Sequence, residues 1–321
     1  MINGRQAHNL ICDTLLKGDG MLKEVNFRDK CSLFLKGILM GICDVIPGIS
    51  GGTIAFITGI YEQLIDSVKN ISPELIKSIF LFLFTRRKSK VADLIANVKK
   101  IDLIFLGILF SGIFTAIFLG SKLILFLLDN YFVYTISFFI GLILASSKVI
   151  FNNIENHKIK NILFGFLGVI LGIILTLVVP LKVNNPSHGY VFFGGFFAIS
   201  AMFLPGISGA FILDIMGIYP FMLNVLHNIR TKYVYFLVFG IGAALGAFFI
   251  SRLIVFLFKK DKCKTLYVLL GLVIGSLSIP VKKVIGSGIE FTSFNIIGML
   301  LLFFLGFVLT LGINNLGQKR G

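Results

Sequence analysis

Two short segments, Pro47-Gly48-Ile49-Ser50-Gly51 and Pro205-Gly206-Ile207-Ser208-Gly209, repeat one another at an offset of 158 residues, and each interrupts an apolar run. A helix that starts after such a break points unpaired backbone N–H groups and the positive end of its dipole at the loop, which suits an anion. Ser50 and Ser208 can cap the helix or donate to a ligand, and Gly48, Gly51, Gly52, Gly206 and Gly209 allow close approach to the backbone. A single copy reads as a tight turn whose glycines serve helix packing. Two copies, each with its Pro and its Ser, favour a binding role. Two cations recur as well: Lys122 and Arg252 stand in Ser121-Lys122-Leu-Ile-Leu-Phe and Ser251-Arg252-Leu-Ile-Val-Phe, well inside apolar runs. Snorkelling accounts for a lone cation of this kind, whereas its return at the same place in both halves favours an anionic ligand.

The acids nearest the breaks are Asp44, Glu62, Asp66 and Asp214. Carboxylates in or beside apolar segments face cavities or carry protons, so Asp44, Glu62 and Asp214 are candidates for proton coupling, with Asp44 and Asp214 also able to balance Lys122 and Arg252. Glu62 and Asp66 also fit a simple interfacial position. Tyr61 and Tyr219 follow the breaks in Gly59-Ile60-Tyr61 and Gly217-Ile218-Tyr219; they can donate to a phosphate or sit in an interfacial belt. None of the four histidines (His8, His157, His188, His227) lies in a motif, and no phosphate-binding Lys-Ser/Thr loop or nucleotide fingerprint occurs. No cofactor, metal or ATP-driven pump is expected. Cys12, Cys31, Cys43 and Cys263 lack Cys-x-x-Cys spacing and read as unpaired thiols.

The elements that position these residues are membrane helices. Of 321 residues, 56% are hydrophobic and 14% charged, with a mean hydropathy of +0.95, outside the range of a soluble domain. Unbroken apolar stretches exclude the alternating pattern of a membrane barrel, and the length leaves no room for a further soluble domain. The net charge of +15 would suit nucleic acid in a soluble chain; here it follows membrane topology. Apolar runs cover 103–128, 131–150, 161–180, 233–258, 266–281 and 294–313, plus the interrupted runs 33–64 and 190–223. The arms 33–45 and 53–64, like 191–204 and 211–223, are too short to cross alone, so each pair is expected to dip into the membrane and return. Residues 1–30 are polar and mixed in charge, so no cleaved signal peptide is expected.

The repeat extends beyond the breaks. Gly141-Leu-Ile-Leu-Ala-Ser146 matches Gly271-Leu-Val-Ile-Gly-Ser276 at an offset of 130, as do Ser121-Lys122 and Ser251-Arg252, so the first half carries 28 extra residues, placed in the basic stretch of about 72–99 as a surface helix or loop. Asn161 and Asn295 open the last matching helix of each half. The expected fold is an all-α polytopic membrane protein of two inverted-topology repeats, each a re-entrant helical hairpin plus three transmembrane helices. Residues 1–32 form a cytoplasmic segment, 33–180 the first repeat, 181–316 the second and 317–321 a cytoplasmic tail. On that topology 23 Lys and Arg, including all up to Lys36, fall on the cytoplasmic side and five outside (Lys182, Arg230, Lys232, Lys282, Lys283), in accord with the positive-inside rule.

Met40-Gly-Ile-Cys-Asp44-Val-Ile-Pro-Gly-Ile-Ser-Gly-Gly-Thr53 with Gly59-Ile-Tyr-Glu62, and Leu204-Pro-Gly-Ile-Ser-Gly209 with Gly217-Ile-Tyr219, resemble the paired signatures of the bacterial and archaeal polyprenyl-phosphate transporters of the PopT type; Ser251-Arg252 and Gly271–Leu277 also fit. The resemblance spans about 36–315. It implies a flippase that returns undecaprenyl phosphate, the carrier lipid of cell-wall sugars, from the outer to the inner leaflet of the cytoplasmic membrane. It points to Asp44, Pro47, Gly48, Ser50, Gly51, Gly52, Thr53, Glu62, Pro205, Gly206, Ser208, Gly209 and Arg252. Cys43 stands where a small alanine is expected, Ala210 where a serine or other small residue is usual, and Asp214 where apolar residues are common.

Two other functions compete. A phosphatase of the pyrophosphate form of this lipid also uses inverted repeats and Pro-Gly-x-Ser loops, but Gly51 and Gly209 occupy the place of its Arg, and no acidic cluster offers a metal site. A transporter of small soluble anions needs a polar path, which 161–180 and 294–313 lack. The expectation is therefore a lipid phosphate held between the two loops by Arg252 with help from Lys122, exposed to either side by rocking of the two halves.

Overall fold

The computed structural model describes residues 27–45, 49–71, 102–178, 181, 183, 185–288 and 292–318, and these are helices and short connections without a strand. The helices are α1 (Phe27–Val45), α2 (Gly51–Ile57), α3 (Tyr61–Lys69), α4 (Leu103–Thr115), α5 (Ser121–Asn152), α6 (Ile159–Leu177), α7 (His188–Met202), α8 (Gly209–Ile215), α9 (Tyr219–His227), α10 (Tyr233–Lys260), α11 (Lys262–Ser276), α12 (Ser278–Ile285) and α13 (Ser293–Gln318). A π-helical turn, Ala116–Gly120, joins α4 to α5, and α5 kinks at Tyr131 (φ −135°, ψ 39°). The kink falls where the sequence separates the runs 103–128 and 131–150. Among the described residues six helices are long and apolar enough to cross a bilayer: Leu103–Gly120, Phe126–Asn152, Ile159–Leu177, Tyr233–Lys260, Lys262–Ile285 and Ser293–Asn314. Local signals set several helix starts, since Asp102, Ser187 and Asp261 cap α4, α7 and α11 by accepting from Phe105 N, Tyr190 N and Lys264 N.

The interrupted runs depart from the expected two-armed hairpins. The returning arm is two short helices in each case, because Gly59 (φ 71°) and Gly217 (φ 70°) adopt the left-handed conformation that ends a helix at little cost only for glycine. The axes of α8 and α9 differ by 115°. The basic stretch of 72–99 expected as a surface element, the N-terminal segment before Phe27, and Pro47 and Gly48 lie outside the described residues.

Most of the packing is done by four helix pairs: α1 on α4, α7 on α10, α6 on α11 and α5 on α13. Each pair brings backbones together at glycines. Gly37 lies against the Leu109 carbonyl and Gly112 against that of Phe34; Gly195 lies against Phe239 and Gly242 against Phe192. Gly37 and Gly195 are 158 residues apart, Gly112 and Gly242 are 130 apart, so the same contact recurs at both repeat offsets. Further along, Gly41 faces Ala116 while its counterpart Ile199 faces Gly246, which exchanges large for small across the pair. Within each pair the contacts advance together along both helices, so partners run parallel. Lipid tails are as apolar as these side chains, so close backbone contact rather than hydrophobic burial drives such pairing.

Helix α5 and helix α11 are the most buried spans, whereas α13 and α6 turn large apolar residues outward, among them Phe294, Leu301 and Phe166. Cys31, Cys43 and Cys263 are unpaired. We predict that Gly141→Leu, whose side chain would collide with the Phe303 carbonyl, lowers stability by about 1–3 kcal/mol or more. Gly107→Leu, with open space at its Cα, should change it little. Thermal unfolding of the detergent-solubilised variants compares the two.

Candidate functional site

The two interrupted runs meet tip to tip. Ser50 is extended (φ −111°, ψ 129°) and caps α2, its Oγ accepting from Gly52 N at 3.2 Å. The same Oγ reaches across to the second break and donates to the Leu204 carbonyl at 3.4 Å. Thr53 Oγ1 accepts from Gly206 N at 2.9 Å, and Tyr61 Oη donates to the Phe203 carbonyl at 2.8 Å. Gly206 holds φ at +90° with its Cα facing Val273 and Ser276 of α11, so the second break is wedged between the first hairpin and α11. A side chain at Gly52 would strike the Met202 carbonyl. Ser50, Thr53 and Ser208 are all buried. Each backbone group freed by a broken helix is costly in an apolar interior, and here one half supplies partners for the other.

The first break carries its own anion. Asp44 Oδ1 accepts from Gly51 N at 2.8 Å, so its carboxylate occupies the start of α2, where the sequence placed a ligand. Its counterpart 158 residues on is Met202, whose side chain lies against Gly209 in the same position. Ser208 caps α8 without a side-chain hydrogen bond to it. The two loops are thus alike in backbone and unlike in charge.

The remaining candidates are spread out. Arg252 donates to the Phe248 carbonyl at 3.0 Å and the Ile71 carbonyl at 3.2 Å, with its guanidinium 3.5 Å from the Phe248 ring centre, which ties α10 to the chain two residues past α3. Lys122 is exposed on α5 and makes no hydrogen bond or ion pair among the described residues. Glu62 pairs with Lys262 at 2.6 Å, both side chains more than half exposed, a surface pair worth little. Asp66 is exposed, and Asp214, also exposed, lies within electrostatic reach of Lys283 rather than of Lys122. Tyr219 is part-buried, and its hydroxyl, unlike that of Tyr61, forms no hydrogen bond among the described residues. The loops, Asp44, Thr53 and Tyr61 therefore converge, while Lys122, Glu62 and Asp214 stand elsewhere.

Beside the loops lies a cavity of about 660 Å³ between α1, α2, α5 and α13. Its walls include Ile42, Ile54, Ile57, Phe138, Leu142 and Leu302, with little polar surface beyond Thr58, Tyr131, Tyr134, Thr135 and Thr310. Sequence reasoning missed this space because its walls come from both halves. It also missed Lys36, whose Nζ donates at 2.7 Å to the carbonyl of Thr58, a residue that lines the same cavity. Lys36 is part-buried against the hairpin.

A family model described as VCA0040-like, undecaprenyl phosphate translocase-like, matches residues 40–296. The chain belongs to this family. It is 38% identical over 246 residues to a polyprenyl-phosphate transporter of Vibrio cholerae serotype O1, covering 77% of this chain and 76% of the relative. To a polyprenyl-phosphate transporter of Staphylococcus aureus it is 29% identical over 259 residues, covering 76% and 83%. No solved structure matches. Both Pro-Gly-Ile-Ser-Gly loops, Asp44, Thr53 and Arg252 fall inside the segment that carries the translocase-like family's signature, and Lys36 lies four residues ahead of it.

Thr53→Val keeps the shape of the side chain but leaves the buried Gly206 N–H without its acceptor. We predict a loss of about 1–3 kcal/mol for Thr53→Val and near wild-type stability for Thr53→Ser, read from denaturation midpoints of the purified protein.

Proposed function

We propose that this protein is a flippase that carries undecaprenyl phosphate from the outer to the inner leaflet of the cytoplasmic membrane by alternating access, without hydrolysing it. The observation that carries the proposal is the apolar cavity of about 660 Å³ beside a buried polar seam formed by two broken helices. The tail gains little by leaving lipid for protein, because the two are similarly apolar. The obstacle to flipping is the phosphate, whose charge is expensive in hydrocarbon. A transporter of such a lipid needs polar groups at mid-membrane for the head and an apolar wall along which the tail stays in or near lipid.

In this proposal the head group crosses at the seam, where Ser50, Gly51, Gly52 and Thr53 face Gly206, Ser208 and Gly209, and Asp44 yields the start of α2 to it. Protonation of Asp44 is the coupling step proposed for that exchange. Arg252 holds the first hairpin to α10. The two halves, 33–180 and 181–316, act as inverted repeats with both termini in the cytoplasm. Support comes from the parallel pairing of α6 with α11 and of α5 with α13, which sets equivalent helices of the two halves in opposite directions if the short α5–α6 connection turns the chain back, and from the excess of cytoplasmic Lys and Arg.

The test is flux of tagged undecaprenyl phosphate in proteoliposomes, read as phosphate newly accessible on the opposite face. Wild type should speed it, and Leu302→Trp, which fills the cavity from the outer helix α13, should slow it severalfold. Absence of flux, uptake of inorganic phosphate instead, or phosphate release from the pyrophosphate lipid would overturn the proposal.

A further inference from the structure

We propose that Lys36 is the head-group cation of this protein, binding the phosphate of a polyprenyl phosphate whose first tail units lie in the cavity lined by Leu39, Ile42, Ile54 and Ile57. The inference rests on the lipid-transport reading above and names a residue for it. Lys36 lies nine residues before the end of α1 and Thr58 directly after α2. At 1.5 Å per residue the two stand level in the hairpin, roughly 10–13 Å from its tip. There the Lys36 ammonium donates to the Thr58 carbonyl, and Thr58, Leu39 and Ile42 all line the cavity. One turn of α1 therefore links the cation to the apolar wall.

Among the described residues the charge of Lys36 is unbalanced. An ammonium has three donors, and the Thr58 carbonyl takes one. No carboxylate pairs with Lys36 among the described residues. A part-buried cation of this kind is costly unless a partner is supplied, and a phosphate monoester supplies one with up to two negative charges. The position also has no counterpart in the other half. Residue 194 is Gly, packed on Ile218, so the cation serves one side only. The parallel contact of α1 with α4 puts Lys36 level with Leu109, about 9 Å along α4 from its start. That is the depth of a head group drawn slightly inward from the leaflet where α1 and α4 begin.

The experiment is equilibrium binding of fluorescent undecaprenyl phosphate, undecaprenol and inorganic phosphate to the purified full chain, for wild type, Lys36→Met, Lys36→Arg, Leu302→Trp and the exposed control Lys160→Met. The proposal expects Lys36→Met to weaken undecaprenyl phosphate roughly ten- to hundredfold, the range for a hydrogen bond to a charged group. Undecaprenol binding should be unchanged, Lys36→Arg should recover most of the affinity, and Lys160→Met should match wild type. Wild-type affinity in Lys36→Met together with loss in Leu302→Trp would overturn the role of Lys36 and leave the lipid-transport reading standing. No binding of the lipid to wild type would overturn that reading itself. An equal loss for undecaprenol would make Lys36 a hairpin strut and overturn the proposal. Should Lys36→Met not fold, amine-reactive labelling of wild type decides the matter: undecaprenyl phosphate, but not undecaprenol, must protect Lys36.

Discussion

The structure depends on satisfying backbone polar groups where no water is at hand. A helix that stops in the middle of an apolar layer exposes N–H and C=O groups whose burial unpaired costs on the order of several kcal/mol each. This chain has two such interruptions and closes them against each other, through Ser50 on the Leu204 carbonyl, Thr53 on Gly206 N and Tyr61 on the Phe203 carbonyl. Neither half can settle without the other. The four helix pairs bound by glycine contacts are the frame that holds the two tips at the same place.

Within that matched backbone the charges are not matched. Asp44 fills the start of α2, while Met202 lies at the same point of the second hairpin. Lys36 sits against Thr58, while Gly194 sits against Ile218. The first hairpin thus carries an acid and a cation and the second carries neither at the equivalent positions. A carrier built from identical halves would bind equally from both sides. In the proposed carrier a difference in charge between hairpins would bias the two conformations, since a ligand shifts an equilibrium only by its differential affinity for the two states.

The lipid chemistry and the architecture fit one another physically. For the proposed lipid, tail transfer from bilayer to cavity is close to neutral, so selectivity would come from the head, to which the seam presents Ser50, Thr53 and Ser208. The outward faces of α6 and α13 are Leu, Ile and Phe, which keeps the remaining contact with lipid ordinary.

Much of this was legible in the residues. Composition and run length determined a helical membrane protein, and the duplicated Pro-Gly-Ile-Ser-Gly segments determined where helices break, because Pro and Gly act locally on the backbone. Gly59 and Gly217 also ended helices locally, yet their effect was missed, since an apolar run continues through each. The placement of charges was not legible. Lys122, Arg252, Asp44 and Asp214 read as isolated charges in apolar sequence and Lys36 as one of the cytoplasmic cations, and only packing separated the carboxylate that caps α2, the guanidinium that ties α10 to Ile71 and the ammonium on the Thr58 carbonyl. The cavity itself belongs to α1, α2, α5 and α13 together. Sequence determined the elements and their breaks because those are set by neighbours along the chain; the partner of each charge and the space between helices were decided by the tertiary structure, because they depend on contacts between elements, from 22 positions apart for Lys36 and Thr58 to 181 for Arg252 and Ile71.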